Sequence, residues 1–369
     1  MRPLDIAFFG SSLVSSYWNG AATYYRGMLS AWSHRRHRIT FYEPDAYGRQ
    51  QHRDLADPDW ARVVVYAADE AGVSGALEQA RSADVIIKAS GVGVFDALLE
   101  AQVLAIRRPR ALVLFWDVDA PATLELVQND RSDPFRALVP RYDAILTYGG
   151  GEPVVRAYRE LGARDCVPIY NALDPATHFR VAPVPRFLAS LGLMASRLPD
   201  REARIDEFFF QAAERLPRQR FLLGGVGWDT RAMPANVEYA GHVYTQDHNA
   251  FNSTPRAILN VNRDSMARFG FSPPTRVFEA AGAGACIISD RWQGLETFLE
   301  PGHEVLVAAN GEEVAAHVAA LTPERALMIG QAARRRVLAE HTYERRVLQL
   351  EAVLEGLSRT DRAGEHAWQ

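Results

Sequence analysis

Apolar residues in the first half of the chain cluster in short stretches, at 5–9, 38–42, 62–66, 84–88, 111–116, 143–147 and 166–170, several of them continuous runs. Runs of this length without polar alternation suit strands covered on both faces. Between them lie stretches with helical spacing, at 21–32, 74–81, 95–107, 133–141 and 153–161. This steady alternation predicts a doubly wound parallel sheet. Prolines then punctuate the chain at Pro175, Pro183 and Pro185, which puts a domain boundary near residue 184. Alternation restarts beyond it. Strands are expected at 187–194, 220–223, 237–240, 257–261 and 304–308, and helices at 203–216, 246–252, 295–299, 312–321, 324–340 and 343–357. The fold class is therefore α/β: one Rossmann-like domain over 1–184, a second over 185–342, and a terminal helix from 343 ending in a tail, 360–369, expected to fray. Two such sheets place a cleft between them, and open α/β sheets bind ligands at the carboxyl ends of their strands.

Composition narrows this picture. The 369 residues are enough for two separate cores. A net charge of -4 argues against nucleic acid as the main partner. The first apolar run, Ile6-Ala7-Phe8-Phe9, is too short for a signal-peptide core or a membrane span, so a cytoplasmic location is expected. Cys166 and Cys286 fall in strands of opposite halves, without metal-ligand spacing and with no disulfide expected.

The stretch around which the rest is organised runs from Phe269-Gly270-Phe271-Ser272-Pro273-Pro274-Thr275-Arg276-Val277-Phe278-Glu279 into Ala280-Ala281-Gly282-Ala283-Gly284 and the apolar Ala285-Cys286-Ile287-Ile288. It reads as a turn, a short helix and a buried strand, with Ser272 as N-cap and Pro273 at the first helical position. The N–H groups of Thr275 and Arg276, the Thr275 hydroxyl and the positive helix end suit an anion. Glu279 follows Thr275 by four residues and so shares its face. A carboxylate behind a phosphate site suits a ribose, since it accepts from two vicinal hydroxyls. The plainer alternative is a capped helix with an Arg276–Glu279 surface pair.

This stretch, followed by Gly294-Leu295-Glu296 and Glu300-Pro301-Gly302-His303-Glu304, resembles the donor-site signature of group 1 retaining glycosyltransferases. Within that group, Thr275-Arg276-Val277-Phe278-Glu279-Ala280 is similar to the spore-maturation-protein-like branch. The family usually carries two glutamates here. Glu279 matches the second, which holds the nucleotide ribose, while the first falls at Phe271, which cannot do that job. The resemblance implies the GT-B architecture, with a nucleotide-sugar donor on the C-terminal domain and an acceptor on the N-terminal one. The acceptor would be a small molecule, glycan or protein. The implied reaction is sugar transfer with retention and no metal cofactor. The implied C-terminal helix crosses back to the first domain. A sugar-nucleotide epimerase and a non-catalytic sugar-nucleotide-binding protein are the rival readings.

Other clusters take roles from the residues and from the resemblance together. Gly10-Ser11-Ser12 ends the first strand and Asn19-Gly20 precedes the first helix. The resemblance turns this loop to the diphosphate and acceptor; otherwise it is a polar connection capped by Asn19. Asp117 and Asp119 alternate at a strand end and so point opposite ways. The resemblance puts Asp119 near the donor sugar, where a carboxylate binds a hydroxyl or accepts the acceptor's proton; a helix-capping turn or a metal-binding Asp-x-Asp competes. In Ser196-Arg197-Leu198-Pro199-Asp200-Arg201 the resemblance favours Arg201 as the group that meets the departing diphosphate. Arg197 and Arg204 read as solvated charges. Gly225, in Gly224-Gly225-Val226-Gly227, would let a base approach the backbone. Asn262-Arg263-Asp264-Ser265 is the polar cluster best placed to compensate for the missing glutamate. Tyr148-Gly149-Gly150-Gly151-Glu152 is an acceptor-side loop candidate, and His303 reads as solvated.

Overall fold

The computed structural model describes residues 2–17 and 19–366, with side chains to residue 359. The chain divides into two compact units, one running to Tyr170 and resuming at Tyr343, the other spanning Asn171–Thr342. The first unit holds β1 (Asp5–Phe9), β2 (Arg38–Asp45), β3 (Arg62–Ala67), β4 (Val85–Ala89), β5 (Leu112–Asp117), β6 (Ala144–Thr147) and β7 (Cys166–Pro168). They form one parallel sheet in the order β3-β2-β1-β4-β5-β6-β7. The second unit holds β8 (Leu191–Met194), β9 (Phe221–Gly224), β10 (Val237–Gly241), β11 (Ile258–Asn260), β12 (Ile287–Asp290) and β13 (Leu306–Ala308), parallel in the order β10-β9-β8-β11-β12-β13. β4, β5, β6, β8, β9 and β12 are buried at every position, which is why they read as largely apolar runs. In both sheets the winding reverses once, between β1 and β4 and between β8 and β11. Those are the points where open sheets of this kind leave a crevice beyond the strand ends.

Several boundaries move for local reasons. The expected strand from 187 begins only at Leu191, because Pro185–Phe187 is a single 3-10 turn whose Phe187 ring packs edge-on against Phe251, 5.4 Å between centroids. The helix expected from 203 starts at Pro199, which suits a first helical position, and runs to Arg215 through a π turn at Asp206–Phe210. Two helices lacked a sequence signal, Ala120–Asn129 and Asp264–Phe269. The division at Tyr170 and Asn171, rather than 184, also has a cause. Leu173 N–H donates to the His341 carbonyl (2.8 Å), and Phe179 and Val184 N–H groups donate to Asn249 Oδ1 (3.2 Å) and Thr254 Oγ1 (3.0 Å). The prolines therefore lie in a segment bound to the second unit.

The terminal helix, Tyr343–His366, belongs to the first unit. It continues beyond Thr360, where fraying was expected; residues 367–369 lie outside the described residues. A Cβ on Gly27 would stand 2.1 Å from the Tyr343 ring, so only glycine admits that ring. Glu351 accepts two hydrogen bonds from Arg35 (2.6 and 2.7 Å) and meets His37 Nε2 at 3.1 Å. Burial pushes the Glu351 carboxyl up, but the bonds from Arg35 and His37 outweigh it and hold it below its ordinary value of 4.5. A depressed carboxyl adds stability above its unfolded value, and that stability is lost as pH falls through the folded one. Glu351→Gln is thus expected to melt below the wild type at pH 7, with the gap closing as pH drops below about 4. Equal melting temperatures at pH 7 would remove the clamp.

Candidate functional site

The switch point of the second unit gathers most of the expected donor residues. Arg201 lies in the first turn of the helix after β8, not in a loop, and Arg276 lies in the first turn of the helix Thr275–Gly282 that follows β11. Each guanidinium has a buried Nε without a hydrogen-bond partner. Arg201 donates one bond, from Nη2 to the Ser196 carbonyl at 3.0 Å. Burial pushes Arg201 down to about 10, and the Arg276 charge pushes it the same way. Arg276 is lowered by burial, with Glu279 opposing. Two half-buried cations that repel each other, with donors left over, are a poor structural device and a ready anion site. The nearby carboxylate of Asp200 bonds Arg263 at 2.5 Å, so it offsets the Arg201 charge without bonding it.

The helix behind this pair starts later than the sequence suggested. Its N-cap is Pro274, in extended backbone, and Ser272 does not cap it: the buried Ser272 hydroxyl donates to the Gly270 carbonyl at 2.9 Å. A residue before proline avoids helical backbone, and Ser272 and Pro273 both precede one. The first backbone bond of the helix is made by Val277 N–H to the Pro274 carbonyl (3.1 Å), so the N–H groups of Thr275 and Arg276 lead it. Glu279 does not pair with Arg276. Its Oε1 stands 3.8 Å from His178 Nε2, in a segment far away in sequence. Gly282 makes that approach feasible, since a Cβ there would sit 2.4 Å from Leu173 and 3.0 Å from the His178 carbonyl. His248 completes the surroundings. Burial holds its imidazole below its ordinary value, with the Glu279 charge acting the other way. Neither histidine carries a motif, so the sequence offered no signal for them.

The remaining residues of this unit are spoken for. Gly225 has φ +128°, and a Cβ on it would strike the Ala195 carbonyl oxygen at 2.1 Å. Its N–H donates to the Gly241 carbonyl (2.8 Å), so the chain's own backbone already requires a glycine there. Phe271, at the missing glutamate, has φ +45° and lays its ring where a Cβ on Gly294 would be, at 2.2 Å. Arg204 is not a solvated charge: it bonds the buried Asp290 (2.7 Å) and the Asn262 carbonyl (3.1 Å). Burial raises Asp290 to about 6 against that pairing. Asn262 is itself buried, its N–H donating to Asp290 Oδ2 at the end of β12 (3.2 Å), and Arg263 pairs with Asp200. Arg197 pairs with Glu202 at 2.6 Å, and His303 is exposed beside Glu300.

In the first unit the loop after β1 is held from within. Ser11 Oγ donates to Asn19 Oδ1 (2.8 Å), and Ser12 Oγ to the buried Glu43 (2.9 Å), which also accepts Leu13 N–H (2.6 Å). Asn19 caps no helix; its amide donates to the carbonyls of Ser12 (2.7 Å) and Ser15 (3.0 Å), folding the loop on itself. Gly10 leaves room for the Phe41 ring, which a Cβ would meet at 2.5 Å, and Gly20 is exposed. Asp117 and Asp119 do diverge. Asp117 is buried and accepts from Ser90 (2.8 Å), Tyr158 (2.5 Å), Thr123 (3.0 Å) and the Asp119 N–H (3.0 Å), while burial pushes its carboxyl up. Asp119 is exposed, at the start of the helix Ala120–Asn129, without capping it through its side chain.

Residues 201–352 match the family model described as glycosyl transferase-like. The match spans less than half of the chain. It takes in the helix of Glu279 and, at its first residue, Arg201. Solved structures extend the likeness to the whole chain as a fold. HepE of Anabaena, in complex with UDP-glucose, is 14% identical with a TM-score of 0.65 over 96% of this chain and 100% of that one. Sucrose-phosphate synthase from Thermosynechococcus elongatus is 15% identical, TM-score 0.69, over 97% and 100%. An α-glucosyltransferase in complex with UDP-glucose and DNA containing an abasic site is 12% identical, TM-score 0.70, over 96% and 100%. The fold is thus GT-B, two parallel sheets of the kind these glycosyltransferases share. No curated protein matches the sequence significantly. Among the described residues, no helix is long and apolar enough to cross a membrane.

Proposed function

We propose that the protein transfers a sugar from a nucleoside-diphosphate donor to an acceptor hydroxyl, with retention. The observation that carries this is Arg201 and Arg276, two half-buried guanidiniums at one switch point, each with a buried Nε that no group of the protein meets. In the reaction the bond from the sugar's anomeric carbon to the diphosphate oxygen breaks, and its electron pair leaves on the diphosphate. The acceptor oxygen bonds to that carbon and gives up its proton. Arg201 and Arg276 meet the charge that grows on the leaving group. Thr275 and the helix N-terminus assist them. Glu279 accepts from the ribose hydroxyls. Exposed Asp119 binds a sugar hydroxyl or takes the acceptor's proton. The donor-bound relatives make UDP-glucose the first donor to try. One of them is bound to DNA, so the fold alone does not decide the acceptor, and the net charge of -4 is what disfavours nucleic acid here.

The test is incubation with labelled sugar nucleotides, after a thermal-shift screen of UDP, GDP, ADP and dTDP. Transfer or slow hydrolysis supports a transferase. Isomerised donor would make the protein an epimerase, and binding without turnover a sensor or carrier.

Glu279 gives a sharper check. Glu279→Gln keeps the size but not the charge, and hydrogen bonds to a charged partner contribute about 1.5–3 kcal/mol each. Nucleotide affinity is expected to fall at least about tenfold, since ~1.4 kcal/mol is a factor of ten. Calorimetric titration returning equal affinities would show that Glu279 does not hold the ribose.

A further inference from the structure

The surroundings of Glu279 are built from parts outside the motif stretch. His178 sits in a turn that follows Asp174, whose carboxylate accepts the Ala176 N–H (2.9 Å) and whose carbonyl accepts the His178 N–H (3.0 Å). Asn249, on the helix His248–Ser253, grips the backbone on either side of that histidine. Its amide donates to the Thr177 carbonyl (2.9 Å), and its oxygen accepts the Phe179 N–H (3.2 Å). So held, the imidazole Nε2 stands 3.8 Å from Glu279 Oε1, with the two side chains only 11% and 14% exposed. The other ring nitrogen, Nδ1, lies 2.9 Å from the Thr177 hydroxyl. That hydroxyl has a single proton, and Nδ1 is nearer to it than the Asp174 carbonyl at 3.3 Å. With Nδ1 accepting, the ring proton is on Nε2 and faces the carboxylate, a tautomer that the negative charge also favours. His248 cannot do the same. Its Nε2 lies 3.2 Å from the Val243 carbonyl, which can only accept, so that proton is engaged and Nδ1 of the neutral ring carries none. Burial pulls this imidazole below its ordinary value, which keeps the ring neutral.

Resting on the donor reading above, we propose that His178 is a positioning residue for Glu279, and that the pair makes this site select nucleotides with a 2′-hydroxyl over 2′-deoxynucleotides. A glutamate side chain rotates about several bonds, and few of its arrangements present both oxygens to vicinal hydroxyls. The Nε2–H fixes Oε1 from the side of the turn and leaves Oε2 and a second lone pair of Oε1 for the ribose. At 3.8 Å the contact is longer than a hydrogen bond, and contacts of this kind often tighten once the ligand is in place. Arg276, on the same helix, acts on Glu279 through its charge alone, which gives the carboxylate no direction. A 2′-deoxyribose offers one hydroxyl in place of two. A carboxylate already fixed for the pair then keeps an unmet acceptor in a largely buried place, and sites built to bond a hydroxyl reject the analogue lacking it for that reason. A carboxylate free to turn would follow whichever hydroxyl is present, and the two sugars would differ less.

Calorimetric titration with the ribo and 2′-deoxyribo diphosphates of uracil, guanine and adenine tests this on the wild type, His178→Phe, His178→Gln and Glu279→Gln. Phenylalanine keeps a ring without a donor, and glutamine brings an N–H close to the place of Nε2–H. For the base that binds best, the wild type is expected to hold the ribonucleotide at least about tenfold more tightly than its 2′-deoxy form. His178→Phe should cut that preference to about threefold or less, by weakening the ribonucleotide while the 2′-deoxy form stays within about twofold. His178→Gln should keep most of the preference. Combining His178→Phe with Glu279→Gln should weaken the ribonucleotide no further than Glu279→Gln does, because a residue that acts through another adds nothing once that one is changed. Ligand-free melting temperatures report whether each variant folds, and His178→Ala takes the place of His178→Phe if the larger ring unfolds the protein. Equal or reversed preference in the wild type would overturn the selectivity. Both nucleotides weakened alike by His178→Phe, a preference that it leaves untouched, or effects of the two substitutions that add would overturn the positioning role. In each of those cases the donor reading stands. No binding of any nucleotide by the wild type would overturn the donor reading and this proposal together.

Discussion

Arg276→Ala is expected to lower kcat/KM for the nucleotide sugar by about 10²–10³, the loss seen when one preorganised donor to a developing negative charge is removed. Arg201→Ala should behave alike. The charge on the diphosphate grows as the glycosidic bond breaks, so turnover should fall more than ground-state nucleotide affinity. A second readout separates this from a structural role. Each arginine is half-buried and has a Nε without a partner, and the Arg276 charge disfavours the charged Arg201. Removing one relieves repulsion and an unmet donor, so the ligand-free melting temperature should hold or rise. The stabilisation by UDP should shrink at the same time. A variant that melts lower without ligand yet turns over normally would place the pair in the framework of the fold, and the proposed donor site would lose its main support.

Lys88→Met is expected to destabilise the first unit by about 3 kcal/mol, the lower end for breaking a buried ion pair because Asp96 remains partly exposed. Lys88 stands in β4, fully buried, with its ammonium 2.5 Å from Asp96, 3.5 Å from Glu100 and 2.8 Å from the Ala89 carbonyl. Methionine fits the stem but leaves both carboxylates without their cation. Asp96 also accepts the N–H groups of Val92 (3.1 Å) and Gly93 (2.7 Å), so the turn after β4 should loosen too. For a unit of this size the melting temperature should fall by roughly 6–12 °C. The sign of the pH dependence is distinctive. Burial already raises the Glu100 carboxyl, with Lys88 pulling it down. Without Lys88 it rises further, and a raised carboxyl favours the fold below its unfolded value and loses that advantage as pH climbs through the folded one. The deficit of the variant should therefore be larger at pH 7 than at pH 5. A deficit that is independent of pH would mean that packing, not charge, is what Lys88 provides.

The sequence by itself determined the architecture, because the information was local. Strands covered on both faces are largely apolar, and β8 and β9 announce themselves for that reason. The helix of Glu279 was legible too, as was the divergence of Asp117 from Asp119, since both follow from the periods of regular backbone. What any charged side chain does was not legible. Arg204 and Arg276 look alike in the chain, yet one bonds Asp290 across 86 residues and the other keeps a buried Nε without a partner. Glu279 gained His178 rather than its helical neighbour, and Asn19 turned inward to fold its loop rather than cap a helix. Only the tertiary structure decided these, because a charge's role depends on which groups come within a few ångströms of it and on how much water they displace. Sequence spacing constrains neither.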